Sequence, residues 1–275
     1  MSFDARRRLA IVLAAGEGVR MRSSRPKVLH AVAGRPMIAY ALAAAREAGA
    51  ADIVVVVGAD REDVAEIARR NAPGVEVVIQ RERKGTAHAV LAAREAIARG
   101  YDDILVVYGD CPLIRGATLK ALCDGLAQGA DLVALGFRPA DPSGYGRLIE
   151  RDGRLVAIRE HKDASEAEQA ARLCNAGPVA FRGISALEML EAVKPHNAQR
   201  EYYLTDLVEI AAARGLIARA VEAEAEEAMG VNDRVQLAAA ERAMQARLRR
   251  RAMVEGATLI APETIFLSFD TAIGR

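Results

Sequence analysis

Apolar residues occur in the first half of the chain as short continuous runs, separated by stretches in which they recur at helical spacing. The runs are rich in valine, isoleucine and leucine, which is typical of strands covered on both faces of a sheet. They predict strands at 9–15, 53–57, 75–79 and 104–108. The alanine-rich stretches between them predict helices near 36–48, 60–71 and 86–99. This alternation predicts an α/β fold with right-handed crossovers, a Rossmann-like, mostly parallel mixed sheet flanked by helices.

The pattern changes in the second half of the chain. Residues 131–137 predict another strand, and a looser region with its own strand signals extends to about 185. We expect a main domain at 1–232, a linker helix at 233–252 and the beginning of a truncated left-handed β-helix at 253–275. The last assignment depends on aliphatic residues spaced about six apart, which suits the flat faces of that fold. An ordinary C-terminal extension is the alternative.

Composition and charge exclude several classes of protein. No apolar run among the 275 residues is long enough to cross a bilayer, and the apolar run near the N-terminus passes directly into a glycine turn, unlike a signal peptide. The formal net charge of +1 gives no electrostatic reason to expect nucleic acid as a partner. Three scattered cysteines are too few for a disulfide framework or a zinc site. We therefore expect a cytoplasmic protein with no membrane partner.

The first strand ends in a glycine-rich, cationic loop. Gly16 and Gly18 are followed by a series of basic residues that ends at Lys27: Arg20, Arg22, Arg25 and Lys27. Glycines let backbone N–H groups approach phosphate oxygens, and cations offset phosphate charge. Ligands of open α/β sheets lie beyond the carboxyl ends of the strands, where this loop stands. The loop therefore predicts a polyphosphate site, with an ordinary strand-to-helix turn as the alternative.

Two common phosphate motifs do not fit this loop. The Gly-Lys-Ser/Thr ending of a Walker loop is missing, and Met21 occupies the third glycine position of the dinucleotide fingerprint. Residues 13–21, LAAGEGVRM, with Pro26 and Lys27 instead resemble the signature of the sugar-phosphate nucleotidyltransferase superfamily. Val19 replaces the usual threonine of that signature. The signature does not by itself select a substrate.

A second candidate feature follows the strand at 104–108. Asp110 stands in the sequence YGDCPL, just past the end of this strand, where its carboxylate could hold a Mg²⁺ ion that bridges phosphates. Gly109 has no side chain, which leaves room beside the backbone where a nucleotide would lie. A solvated turn aspartate is the alternative. The segment also resembles the metal-binding segment of the same superfamily.

Residues 80–89, QRERKGTAHA, connect a predicted strand to a predicted helix. Gln80 could recognise a base edge through its amide, and Gly85 would allow a close approach of the backbone. Thr86 could cap the following helix, which would explain it without any ligand. His88 is expected to be a packing or surface residue.

Further segments make the resemblance more specific. They are GYGR at 144–147, EHKD at 160–163, NAG at 175–177, NAQREYYLTD at 197–206 and GVNDR at 230–234. Together with the features above they resemble the uridyltransferase domains of the bacterial bifunctional N-acetylglucosamine-1-phosphate uridyltransferases/glucosamine-1-phosphate acetyltransferases, over residues 8–275. The C-terminal acetyltransferase domain of that family is a left-handed β-helix that builds a trimer.

The resemblance implies the nucleotide-diphospho-sugar transferase fold and uridylyl transfer from UTP to N-acetylglucosamine 1-phosphate, giving UDP-N-acetylglucosamine and pyrophosphate. The catalytic residues it implies are Arg20, Lys27 and Asp110. The nucleotide would contact Leu13, Ala14, Ala15, Gly16, Gly18, Lys27, Gln80, Gly85, Thr86, Tyr108 and Gly109. The sugar phosphate would contact Gly146, Glu160, Asn175, Tyr203, Thr205 and Asn232. Asp110 and Asn232 would hold Mg²⁺. Acetyl transfer is not expected of this chain. The trimer of the full-length family members is built by the β-helix, so a monomer is one expected state of this chain.

Two residues depart from the family pattern. Arg83 stands where a second glutamine is frequent, so uracil recognition is expected to depend more on Gln80 and on the backbone at Ala14. Arg200 stands where glycine is common and is expected to stiffen its loop. Alternative functions are nucleotidyl transfer to another sugar phosphate, such as glucose 1-phosphate with UTP or dTTP, and non-catalytic sensing of a nucleotide sugar. A dinucleotide-dependent oxidoreductase is disfavoured by the failed fingerprint.

Overall fold

A central mixed sheet organises the molecule in the computed structural model, which describes residues 6–274. The strands are β1 (Arg8–Ala14), β2 (Ala31–Val32), β3 (Arg35–Pro36), β4 (Asp52–Gly58), β5 (Glu76–Gln80), β6 (Asp103–Tyr108), β7 (Leu132–Phe137), β8 (Arg147–Arg151), β9 (Arg154–Arg159), β10 (Cys174–Arg182) and β11 (Ala218–Ala223). The helices are α1 (Met37–Glu47), α2 (Glu62–Asn71), α3 (Thr86–Leu91), α4 (Arg94–Ile97), α5 (Gly116–Ala127), α6 (Glu166–Gln169), α7 (Ala186–Ala192), α8 (Leu207–Ala213) and α9 (Arg234–Val254).

The sheet has nine strands, and β2 and β3 pair separately. Its main order is β11-β7-β10-β6-β1-β4-β5, and the β8–β9 hairpin joins it beside β10. Strand β10 is antiparallel to both β6 and β7, whereas the other neighbours in this order are parallel. The predicted α/β fold with a mostly parallel mixed sheet is therefore confirmed.

Strand β1 lies at the centre of the sheet and explains why its sequence is continuously apolar. Leu9, Ile11 and Leu13 belong to the core beneath α3, α4, α7 and α8. Alternate residues of the same strand belong to the core beneath α1, α2 and α5. Because both faces are covered by helices, neither alternate set of side chains can be polar. The helices also direct the carboxyl ends of β1, β4 and β6 to one edge, where Leu13 pairs with Tyr108 and Ala14 with Val57.

Two sequence predictions need correction. Strand β5 was expected to be covered on both faces, but it is the edge strand beyond β4, and Ile79 is 52% exposed. The helix predicted at 86–99 is divided into α3 and α4 by Ala93, whose φ and ψ are −92° and 18°. The last turn of α3 tightens through a bond from the Ala93 N–H to the Val90 carbonyl, the i→i+3 bond of a 3₁₀ turn.

Helix α9 follows the main sheet, as the sequence predicted, and packs on the β2–β3 region. Its first turn is capped by Asp233, which accepts a bond of 2.8 Å from the Gln236 N–H. Met244 and Leu248 of α9 join a core cluster with Val32.

Residues 255–274 lie against α9 without forming a strand. The Gln245 amide donates to the Leu267 carbonyl at 2.7 Å and accepts from the Leu267 N–H at 2.8 Å. The segment contains a short 3₁₀ turn, Pro262–Thr264. The β-helix and the domain limits at 232 and 252 stay predictions. Among residues 6–274, no helix has both the length and the apolar character needed to cross a membrane.

Candidate active site

The glycine loop after β1 is shaped by contact with Lys27. Gly18 has a φ of 65°, in the left-handed region, and a Cβ on it would lie 2.5 Å from the Lys27 Cβ. A larger residue would therefore strain the backbone and displace the lysine. Gly16 differs, because no atom lies within 4 Å of the position its Cβ would take. Its missing side chain leaves the backbone open to the cleft.

Three predicted residues from distant parts of the chain meet beyond β6. Lys27 forms an ion pair with Asp110, and its Nζ lies 3.0 Å from Asn232 Oδ1. The lysine and aspartate side chains are only 12% and 17% exposed. The Val231 N–H donates to the Asp110 carbonyl at 2.9 Å, which fixes the turn that carries Asn232. This turn thus brings the start of α9 to the end of β6.

The donor atoms in this cluster are compatible with Mg²⁺. Carboxylate and amide oxygens are suitable ligands, and Asp110 and Asn232 already direct one oxygen each at the same cation, the Lys27 ammonium. Within residues 6–274, no group of three or more His, Cys, Asp or Glu residues is arranged to hold a metal. An ion here would therefore complete its coordination with water or with substrate oxygens, as Mg²⁺ commonly does at phosphates.

A cleft of about 300 Å³ opens at this edge of the sheet and collects most of the predicted nucleotide residues. Its predicted members are Leu13, Ala14, Ala15, Gly16, Lys27, Gln80, Gly85, Thr86, Tyr108 and Asp110. Gly18 and Gly109 contact residues that line the cleft, since Gly18 lies against Lys27 and Gly109 lies against Leu13 and Val28. Arg20 is exposed on the short turn Val19–Met21 and does not line the cleft.

The loop between β5 and α3 is held by the segment 202–204. A Cβ on Gly85, whose φ is 111°, would lie 2.5 Å from the Tyr202 carbonyl oxygen. The Tyr202 N–H donates to the Lys84 carbonyl at 2.7 Å, and its own carbonyl accepts from the Ala87 N–H at 2.9 Å. The close backbone approach that the sequence attributed to Gly85 is therefore made by Tyr202.

The side chains of Thr86 and Gln80 both contact neighbouring protein groups. Thr86 does not cap α3, because its hydroxyl accepts from the Leu204 N–H at 2.9 Å and the cap position, Gly85, has no side chain. Gln80 is buried, and its Nε2 lies 3.2 Å from both the Gly85 carbonyl and His88 Nδ1. His88 is thus a packing residue, as expected.

Five of the six predicted sugar-phosphate residues lie on the other side of Tyr108, whereas Asn232 lies with Lys27 and Asp110. A Cβ on Gly146 would lie 3.4 Å from Glu160 Oε2 and 3.5 Å from the Asn175 Cβ, so the three residues are adjacent. The Thr205 hydroxyl donates to Glu160 Oε1 at 3.3 Å. Tyr203 lines an adjoining cavity of about 480 Å³ together with Glu160. The sequence therefore identified residues that the fold brings together.

Burial raises the pKa of several ionisable groups around the sugar residues. Burial raises the pKa of Glu160, and the nearby Asp163 adds to the effect, although the Thr205 hydrogen bond opposes it. Burial also raises the pKa of Asp206 to about 6, with a further contribution from Glu209. Between the sides, burial raises the pKa of Tyr108, with contributions from Glu160 and Asp110. Tyr108 is therefore a neutral phenol at physiological pH.

Sequence analysis assigned no role to three residues at the site. Glu201 and Arg83 line the cleft, and Gly177 lies with its Cβ position 3.1 Å from the Tyr108 ring. Glu201 and Gly177 lie within the segments 197–206 and 175–177, which carry the family resemblance, and this placement could have marked them as site residues. Arg83 was noticed only as a departure from the family pattern.

The cleft lies at the carboxyl edge of a mixed sheet, beside a lysine and a metal-compatible pair of oxygen ligands, and the family comparison identifies the class as a nucleotidyltransferase. Residues 10–203 match the family model of the MobA-like NTP transferase domain, and the chain belongs to that family. It has the nucleotide-diphospho-sugar transferase fold that the resemblance implied.

Curated relatives named bifunctional protein GlmU are similar to nearly the whole chain. The relative from Xanthobacter autotrophicus is 60% identical over 267 residues, which is 97% of this chain and 60% of the relative. The relative from Bradyrhizobium sp. is 57% identical over 98% of this chain and 60% of its own length. The chain thus spans about three fifths of these relatives, at their N-terminal part. The resemblance found in the sequence is confirmed.

Proposed function

We propose that this domain transfers a uridylyl group from UTP to N-acetylglucosamine 1-phosphate, which gives UDP-N-acetylglucosamine and pyrophosphate. The proposal depends above all on the meeting of Lys27, Asp110 and Asn232 beside the cluster of Gly146, Glu160 and Asn175. The first cluster suits phosphates, and the second offers hydrogen-bonding groups for a sugar. The high identity with proteins named GlmU supports the same assignment.

The chemistry needs no nucleophilic side chain. A phosphate oxygen of the sugar phosphate attacks the α-phosphorus of UTP, and the bond from that phosphorus to the bridging oxygen of pyrophosphate breaks. Since the phosphate monoester is already a nucleophile, catalysis consists of alignment and charge neutralisation. Lys27 would offset charge on the triphosphate. Arg20, on its exposed turn, would have to reach the leaving pyrophosphate when substrate binds.

Asp110 and Asn232 would hold a Mg²⁺ ion, which would supply positive charge and a fixed position for the reacting phosphates. The two residues currently contact the Lys27 ammonium, so they are in place to share a cation. Lys27 would then turn from Asp110 toward the phosphates.

Residues on the remaining walls would select the substrates. Gln80 and the backbone at Ala14 would recognise uracil, with Gly85 and Thr86 shaping that wall. Gly146, Glu160 and Asn175 would bind the sugar through a backbone N–H, a carboxylate and an amide. Thr205 and Tyr203 would border the sugar and its phosphate.

The direct test is incubation of the purified chain with UTP, N-acetylglucosamine 1-phosphate and Mg²⁺, with pyrophosphate release as the readout. We expect release that requires the sugar phosphate and stops on addition of EDTA. Release only with another sugar phosphate or nucleotide, such as glucose 1-phosphate with dTTP, would preserve the chemistry and overturn the substrate. UTP binding without release for any pair would instead indicate a nucleotide-sugar sensor.

A further inference from the structure

Arg83 crosses from the loop after β5 to the glycine loop after β1. Its Nε donates to the Ala15 carbonyl at 3.1 Å, and a terminal nitrogen of the same guanidinium forms an ion pair with Glu17. The carbonyl and the carboxylate both belong to the predicted triphosphate loop. One side chain therefore holds that loop at two points.

The guanidinium lies in a notch at the end of β4. A Cβ on Gly58 would lie 3.2 Å from Arg83 Nη2 and 3.3 Å from the Ala15 carbonyl oxygen. Glycine at this position therefore makes room both for the arginine and for the turn of the loop. Arg83 therefore packs between the loops that follow β1, β4 and β5, in addition to forming its ion pair with Glu17.

The negative charge of Glu17 suggests why its pairing with Arg83 matters for phosphate binding. Glu17 is the carboxylate within a loop whose other charged residues, from Arg20 to Lys27, are all cations. A triphosphate near this loop would be repelled by a free carboxylate, and the repulsion extends over several ångströms at physiological salt. Pairing with Arg83 neutralises the carboxylate while the Nε bond fixes the adjoining backbone.

We infer that Arg83 is a positioning residue for nucleoside-triphosphate binding, and that it acts as a unit with Glu17. This inference rests on the proposed function. It gives a role to a residue that sequence analysis noted only as a departure from the family pattern. The ion pair is half-exposed, with side chains 43% and 51% exposed, so it contributes little to global stability and its loss should leave the fold intact.

A double-mutant cycle on the full chain tests the coupling. We expect Arg83→Gln to raise KM for UTP about tenfold, because the unpaired carboxylate then faces the phosphates, with kcat and KM for the sugar phosphate within about twofold. Adding Glu17→Gln should return KM for UTP to within about threefold of the parent. Arg83→Lys, which keeps the charge and loses the planar fork, should fall between. The matched control is Arg81→Gln, an exposed arginine in the same loop with no ion pair within residues 6–274.

Hydrogen exchange of the loop amides gives a readout that does not need turnover. We expect the amides of Met21 and Arg22, which donate to the Gly18 and Val19 carbonyls within the loop, to exchange at least about threefold faster in Arg83→Gln and to be unchanged in Arg81→Gln. Unchanged exchange, or a KM effect of the same size in the Glu17→Gln background, would overturn the inference. If the parent chain releases no pyrophosphate with any pair, the proposed function fails, whereas exchange and equilibrium binding of UTP still decide the role of Arg83.

Discussion

The phosphate side and the sugar side of the cleft are built in different ways. The phosphate side, defined as residues 13–27, 108–110 and Asn232, lies at the ends of two parallel strands, β1, which is buried throughout, and β6, which is buried up to Val107. The sugar side, defined as Gly146, Glu160, Asn175, Tyr203 and Thr205, lies on antiparallel strands and loops. Its strand β10 has an irregular register between Asn175 and Val179.

The difference shows how each side meets its chemical task. In-line transfer between phosphates needs charges at fixed positions, and rigid parallel strands supply them. Sugar binding needs hydrogen-bonding groups turned toward hydroxyls, and an irregular strand beside a glycine loop supplies that geometry. We therefore expect substitutions at Lys27 and Asp110 to affect turnover and substitutions on the sugar side to affect substrate affinity.

The largest effects are expected from Lys27→Ala and Asp110→Ala. Each should lower kcat at least about 100-fold with the fold intact, because Lys27→Ala removes a cation beside the reacting phosphates and Asp110→Ala removes a ligand of the proposed Mg²⁺. Pyrophosphate release and circular dichroism would measure the two properties. Lys120→Ala is the matched control, since Lys120 and Asp124 form an exposed pair on α5. Near-normal turnover in either cleft variant would contradict the assignment.

Asn175→Ala should separate the two sides. We expect KM for the sugar phosphate to rise about tenfold, with KM for UTP changed less than about twofold, because a sugar hydrogen bond is lost. Initial-rate kinetics with each substrate varied would show the split. Asn71→Ala, on α2 far from the sugar side, is the control. Equal effects on both KM values would mean that the two sides do not act separately.

The pH dependence of stability should come from Asp206, which lines the cavity beside Glu160 and Tyr203 of the sugar side. The pKa of Asp206 is raised from 3.8 to about 6 by burial and by Glu209. The folded state therefore binds the extra proton between these values, and this stabilisation is lost as pH rises through about 6. Asp206→Asn should raise the free energy of unfolding at pH 7.5 by about 1 kcal/mol, a value reduced for partial exposure, and the gain should vanish below about pH 4.

Denaturant unfolding at several pH values would measure this gain. Asp141→Asn is an informative control, because the Ser143 N–H donates to Asp141 and lowers the pKa of that carboxyl. It should give no gain at pH 7.5. A pH-independent effect of Asp206→Asn would show that charge is not the cause.

The smallest effect is expected at Arg200, in the loop that borders the sugar side. Its φ of 55° lies in the left-handed region, which costs a non-glycine residue about 1 kcal/mol or more. Arg200→Gly should therefore stabilise the fold by about 0.5 kcal/mol after the greater entropy of the unfolded glycine chain is counted. Arg61→Gly, at a φ of −113°, should destabilise it instead. Equal changes in denaturant midpoints would exclude strain as the reason.

The sequence predicted the sheet centre better than its edge. Strand β1 is apolar at every position because helices cover both faces, and that requirement is visible in the sequence. Strand β5 has a similar local pattern, yet its place at the edge depends on strand order, which local periodicity does not contain. The division between α3 and α4 was missed for a similar reason, since the pattern of alanines continues through Ala93.

Roles within the loops were predicted less completely. The glycine at 85 and the threonine at 86 were noticed for their residue types, but their protein partners, Tyr202 and Leu204, come from a segment more than 100 residues away. Arg83 was noticed only as a departure from the family pattern, since its contacts with Ala15 and Glu17 join two loops that are far apart in the sequence.

The amino-acid sequence by itself determined the α/β class, the central strands and the residue types of the candidate site. It did so because burial on both faces and phosphate chemistry each restrict composition locally. Only the tertiary structure decided that Asp110 and Asn232 both contact the Lys27 ammonium, since 83 and 205 positions along the chain separate the lysine from these two partners. Side chains so far apart meet only when strand order and the turn before α9 bring them to one edge of the sheet.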